Sequence, residues 1–112
     1  MNDTDTRPGL PDQFPEHLRS AERGIREALG RLDLTEWHFA IKQNLLIGAR
    51  RVGDPVIAID TVAVIKPRHA MGHRVFVIND EPGAMWEHHG SVDEIVTLVR
   101  CWESVTSPEA GR

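Results

Sequence analysis

The chain has 112 residues, of which 40% are apolar and 27% charged, enough to bury one hydrophobic core but too few for two ordinary domains. Its net charge of -4 disfavours nonspecific binding to nucleic acid or to an anionic membrane, since both depend on positive charge. The single cysteine, Cys101, excludes a fold held together by internal disulfides. No apolar run is long enough to cross a bilayer and no signal peptide is recognisable, so we expect a cytoplasmic protein.

The two ends of the chain are polar and contain several proline, glycine or serine residues. Residues 1–11 and 104–112 have too little apolar surface to offset the entropy lost on ordering. We therefore predict a flexible arm, a single domain over residues 12–103, and a flexible tail.

Two segments have the apolar spacing of helices. In residues 15–32, apolar side chains recur every three or four positions, and acid–base pairs such as Glu22 with Arg26 lie on the other side. A second helix is predicted to begin after Ser91, whose hydroxyl can cap a backbone N–H while the Glu94 carboxylate reaches back. This pattern is a capping box.

Between the helices, the apolar period changes to every second residue, which is the period of a strand. Strands are predicted over residues 37–42, 45–52, 56–65 and 74–79, with a fifth, shorter one at 85–88. Turn signals separate them at residues 53–55 and 80–83. The predicted fold is α+β: an antiparallel meander of four to five strands flanked by an N-terminal and a C-terminal helix, in the order α-β-β-β-β-(β)-α.

The strand predicted over residues 56–65 is apolar on both of its sides. Either the helices cover opposite faces of the sheet, or both lie on one face and a second chain covers the other. We favour the second arrangement, which makes the protein a homodimer. The side chains predicted for such an interface are Val62, Val64, Met85 and Trp86, although core packing explains Trp86 equally well.

A basic stretch without acidic residues runs from Lys66 to Arg74. Arginine and lysine donors on a glycine-containing loop suit a phosphate or carboxylate anion. The alternative function is therefore a small enzyme or anion-binding domain, in which Arg68 and Arg74 clamp the anion and His69 or His73 moves protons. The simpler interpretation of these residues is a solvated hairpin loop.

Four histidines, His69, His73, His88 and His89, would bind a transition metal if the fold brought them together. Spacing within loops fixes no geometry, and neither a Cys-x-x-Cys nor a His-Glu-x-x-His motif is present, so we predict no metal and no cofactor. Asp60 interrupts an otherwise apolar strand. A buried carboxylate would need a hydrogen-bond partner, and we favour instead a bulge that turns Asp60 towards water.

No catalytic residue is predicted, because the chain has no phosphate-binding glycine loop, nucleophile elbow or dinucleotide fingerprint. Cys101 is expected to lie off the apolar side of its helix as a partly buried, idle thiol. Nucleic-acid binding would require a contiguous basic face made of Arg50, Arg51, Arg68 and Arg74. The sequence therefore favours a non-enzymatic, self-associating protein-interaction or regulatory domain, with a protein partner and no membrane.

Overall fold

A computed structural model describes residues 9–102. The helical elements are a 3-10 helix (Glu16–Ala21), α1 (Glu22–Leu29) and α2 (Val92–Cys101). The strands are β1 (His38–Lys42), β2 (Leu45–Val52), β3 (Ala58–Lys66), β4 (His69–Ile78) and β5 (Glu81–Gly90). They form one antiparallel sheet in the order β1-β2-β3-β4-β5, so the predicted α+β meander with two flanking helices is confirmed, and the fifth strand is present.

Two of the hairpins turn on two residues whose backbone φ is positive. The φ angles are 53° and 64° at Gln43 and Asn44, and 53° and 65° at Asn79 and Asp80. Such turns match the twist of the flanking strands, and asparagine and aspartate tolerate the left-handed conformation best after glycine. The turn predicted at residues 80–83 therefore lies earlier, and β5 begins already at Glu81.

The two helical segments differ in how closely they follow the sequence pattern. The helix predicted over residues 15–32 divides at Ala21, whose φ of -112° and ψ of 11° are not helical. The predicted capping box of α2 is confirmed: Ser91 Oγ accepts from the Glu94 N–H at 3.1 Å, and Glu94 Oε1 accepts from the Ser91 N–H at 2.8 Å. Within residues 9–102, no helix has the length and apolar content needed to cross a membrane.

Both helices lie on the same side of the sheet, which we call the inner face. They contact each other, and α2 also contacts β3, β4 and β5. Side chains from every layer share one buried core, which includes Ile25 and Leu29 of α1, Ile95, Val96 and Val99 of α2, and Phe39, Leu46, Val62, Val64 and Ala70 of the strands. All of these strand residues occupy inner-face positions. The opposite side, the outer face, takes no part in this core.

The chain immediately before the first helix is attached to the domain, although residues 9–11 were predicted to belong to a flexible arm. The Gly9 N–H donates to the Trp37 carbonyl, and the Phe39 N–H donates to the Gly9 carbonyl, both at 3.3 Å. Arg26 Nη2 donates to the Pro11 carbonyl at 2.8 Å. The structured domain therefore begins by Gly9, while the rest of the predicted arm and tail lies outside the described residues.

Gly48 of β2 has no side chain, which lets the Phe39 ring lie closer to the β2 backbone than any other residue would permit. A Cβ atom at this position would overlap the Phe39 ring, which is buried and stacked on Trp37 and so cannot move aside. We expect Gly48→Ala to lower the free energy of unfolding by about 1–3 kcal/mol, measured by urea denaturation. The control is Gly24→Ala, at an exposed position of α1 where an added Cβ meets nothing within 4 Å. This substitution should raise the free energy of unfolding by about 0.5–1 kcal/mol. Equal effects at the two glycines would contradict this packing.

Candidate functional site

The outer face presents side chains in cross-strand rows. The central row contains His38, Ala49, Thr61, His73 and Glu87. One flanking row contains Ala40, Ile47, Ala63, Met71 and His89, and the other contains Arg51, Ile59, Val75 and Met85. The middle of this surface is apolar, while its ionisable groups lie mainly towards the edge strands. Two large apolar side chains are well exposed on it, Ile59 at 40% and Met85 at 60%.

The predicted interface residues Val62 and Val64 do not belong to this surface. Both are fully buried under the helices, because they occupy the inner-face row of β3. The alternation of a strand defines two rows of side chains, but since both rows of β3 are apolar, it does not say which row faces the helices. The outer row consists instead of Ile59, Thr61, Ala63 and Ile65.

The neighbouring residues Met85 and Trp86 point to opposite sides of β5. Met85 lies on the outer face, where the interface was predicted. Trp86 is half-buried on the inner face, with its ring centroid 5.1 Å from that of Phe76 and 5.5 Å from that of Trp102. Trp86 is therefore a core side chain in this fold and is not placed to anchor a partner on the outer face.

Asp60 is fully buried between two arginines on the inner face, so the favoured bulge towards water is absent. Its carboxylate accepts from Arg50 Nη2 and Arg74 Nε, each at 2.6 Å, and from Arg74 Nη2 at 2.9 Å. Arg50, Asp60 and Arg74 are direct cross-strand neighbours in regular register. The irregularity of β3 lies elsewhere, between Val64 and Lys66.

Aromatic rings enclose this ion cluster. The Arg74 guanidinium lies 5.5 Å from the Trp102 ring centroid and 5.8 Å from that of Trp86, and the Arg50 guanidinium lies 5.0 Å from that of Trp37. Such contacts are attractive, and more so for a guanidinium that has left water. With 4% of Arg50 and none of Arg74 exposed, neither side chain is presented to a phosphate backbone in solution. The contiguous basic face that nucleic-acid binding would require therefore lacks these two members.

The five residues predicted to bind an anion lie in three different parts of the domain. Lys66 and Arg68 are exposed at the β3–β4 turn, because β4 begins already at His69 and leaves only two residues in that turn. His69 and His73 lie on the outer face. Arg74 is held by Asp60 inside the domain. The structure does not bring the five side chains to one site.

Two of the four histidines considered above come together on the outer face. A ring nitrogen of His69 lies 3.0 Å from one of His89, whose other ring nitrogen lies 3.0 Å from a Glu87 carboxylate oxygen. His73 is the cross-strand neighbour of Glu87, whereas His88 points to the inner face. Among residues 9–102, no three histidine, cysteine or acidic side chains are arranged to hold a metal ion.

Two clefts open beside the last residues of β2. One is a groove of about 410 Å³ on the outer face, lined by Glu36, His38, Ala49, Arg50, Arg51 and Ile59. The other, of about 350 Å³, includes Asp33. Hydrogen bonds from the Thr35 hydroxyl and N–H to the Asp33 carboxylate lower the pKa of Asp33, which therefore does not suit a general acid. Cys101 is exposed at the end of α2, although a partly buried thiol was predicted.

The most distinctive surface of the described chain is thus an apolar sheet face with a groove at one corner and an imidazole–carboxylate cluster at the opposite edge. Comparisons of the chain with protein-family models, with curated proteins and with solved structures give no match.

Proposed function

We propose that this chain is a small, non-enzymatic protein-interaction domain that self-associates through the outer face of its sheet. The observation that carries the proposal is the placement of both helices on the inner face, although β3 is apolar on both of its sides. A soluble monomer rarely exposes a contiguous apolar patch of more than a few hundred Å². A second layer over the outer face would remove this surface from water.

The size of the outer face suits a stable interface. Five strands spaced about 4.8 Å apart and five to ten residues long cover roughly 20 by 28 Å, or about 550 Å² in projection. The accessible area of a surface formed by protruding side chains is larger than its projection. It is therefore of the same order as the roughly 800 Å² that each partner buries in a standard-size protein interface.

The occupant that we propose is a second copy of this chain. Each half of the outer face carries both imidazole and carboxylate groups, with two further basic side chains on one half. The half formed by β1 and β2 has His38, Lys42, Arg51 and, in the groove, Glu36, and the half formed by β4 and β5 has Glu87 with His69, His73 and His89. Such a face is complementary to itself, because a two-fold rotation can set one half against the other. Sheets with one apolar face each then form a two-layer sandwich with a shared core.

Ile59→Glu tests the proposal. Because Ile59 lies in the middle of the outer face beside Arg51, the new carboxylate has a neighbouring guanidinium in the monomer and should not prevent folding. In a dimer, the same carboxylate would be buried in an apolar layer, so the dissociation constant should rise by about 100-fold or more. Sedimentation equilibrium over a concentration series measures the change.

Ile41→Glu is the matched control. Ile41 is 39% exposed, almost the same as Ile59, but it has an inner-face position on the edge strand β1. It should leave the dissociation constant unchanged. A wild-type chain that stays monomeric at every concentration, or equal effects of the two substitutions, would overturn the proposal.

A further inference from the structure

The central row of the outer face is asymmetric in charge about its midpoint. Thr61 of β3 lies in the middle, with Ala49 and then His38 on one side, and His73 and then Glu87 on the other. An imidazole therefore ends the row at β1, and a carboxylate ends it at β5. This order restricts how two copies can face each other.

Two face-to-face sheets with nearly aligned strands can be related by either of two axes that lie between them. An axis across the strands sets β1 on β1 and β5 on β5, which brings Glu87 opposite the partner's Glu87. An axis along β3 sets β1 on β5, which brings His38 opposite the partner's Glu87. Like charges opposed in an interface are unfavourable, whereas an imidazole can donate a hydrogen bond to a carboxylate. The charges favour the axis along β3.

The shape of the surface favours the same axis. Met85 is the most exposed of the large apolar side chains on the outer face and lies in the row of Ile59 and Arg51. Rotation about β3 carries the partner's Met85 to the position one strand beyond Arg51. There the 410 Å³ groove opens between Glu36, His38 and Ile59. The unbranched, flexible side chain of methionine suits an irregular groove of this kind.

We infer that two copies associate about a two-fold axis along β3, so that His38 contacts the partner's Glu87 and Met85 fills the partner's groove. This inference rests on the self-association proposed above and specifies its geometry. Each such dimer contains two grooves and two methionines, so the contact closes on itself and is not expected to propagate into a fibre.

Chemical cross-linking tests the axis directly. In a Cys101→Ser background, Ala40→Cys with His89→Cys places thiols at the two ends of the row that flanks the central one. Within one chain these ends are four strands, about 19 Å, apart, whereas across the proposed interface they face each other at the sheet-packing distance of about 10 Å. A bifunctional thiol reagent that spans about 10 Å should therefore yield covalent dimers of the double variant.

Single variants are the controls. Ala40→Cys alone and His89→Cys alone should give no covalent dimer about this axis, because each lies about 19 Å or more from its own copy. His38→Cys alone should also give no covalent dimer, because the two copies of this residue face each other only about the axis across the strands. Covalent dimers from His38→Cys, with none from the double variant, would overturn the inferred axis while the self-association, followed by sedimentation of the wild type, still stands. A monomeric wild type would overturn both.

Discussion

Asp60→Ala is expected to lower the free energy of unfolding by about 3–5 kcal/mol, because it removes the carboxylate that Arg50 and Arg74 share inside the domain. Breaking a buried ion pair on one side leaves the remaining charges in a medium that solvates them poorly, and this cost exceeds the attraction that the pair itself contributed. The urea midpoint of unfolding should fall accordingly, with far-ultraviolet circular dichroism as the readout.

Glu27→Ala provides the comparison for Asp60. Glu27 also faces an arginine, Arg23, but at 3.9 Å and with 73% of its side chain exposed. Ion pairs of this kind contribute little in water, so the change should stay within about 0.5 kcal/mol. If Asp60→Ala proved as mild as Glu27→Ala, the ion cluster would not be the closed structural element described above.

Trp102→Ala is expected to lower the free energy of unfolding by a similar amount, about 3–5 kcal/mol, for a different reason. The Trp102 ring is 5% exposed, contacts the Trp86 ring of β5, and lies beside the Arg74 guanidinium. Its loss leaves a cavity and removes the contact that ties the end of α2 to an edge strand. Thermal unfolding followed by calorimetry would show the lowered midpoint.

The adjacent residue provides a control for Trp102. Cys101 is exposed at the end of the same helix, so Cys101→Ser should change the stability by no more than about 0.5 kcal/mol. Comparable losses at both positions would indicate that the end of α2 frays as a unit, and that the Trp102 contact does not itself stabilise the domain.

The elements that the sequence predicted well are those whose signals are local. The capping box at Ser91 depends on residues three apart, and the bounds predicted for the strand over residues 45–52 match β2. The basic stretch from Lys66 to Arg74 was predicted to be a glycine-containing loop. In the structure, Gly72 lies in β4, where the absence of a Cβ lets Ile95 of α2 approach closely. That requirement comes from another element, far away in the sequence.

The environment of Asp60 also depends on segments that are distant in the sequence, in this case through electrostatics. From the sequence, a bulge that turns Asp60 towards water was favoured over a buried ion, since nothing local shows what the neighbouring strands present. The register of β2, β3 and β4 places an arginine on each side of it, and only the assembled sheet shows this. The cluster consequently removes Arg50 and Arg74 from the surfaces that the sequence had suggested for anions and nucleic acid.

By itself, the sequence determined the α+β class, the meander of strands, and the presence of one strand that is apolar on both of its sides. These follow from periodicity and turn chemistry, which act over a few residues. Only the tertiary structure decided that both helices lie on one face, that Val62 and Val64 lie beneath them, and that Ile59 and Met85 face outwards. A period of two defines two rows of side chains, but the row that the helices cover is chosen by packing between segments distant in the chain.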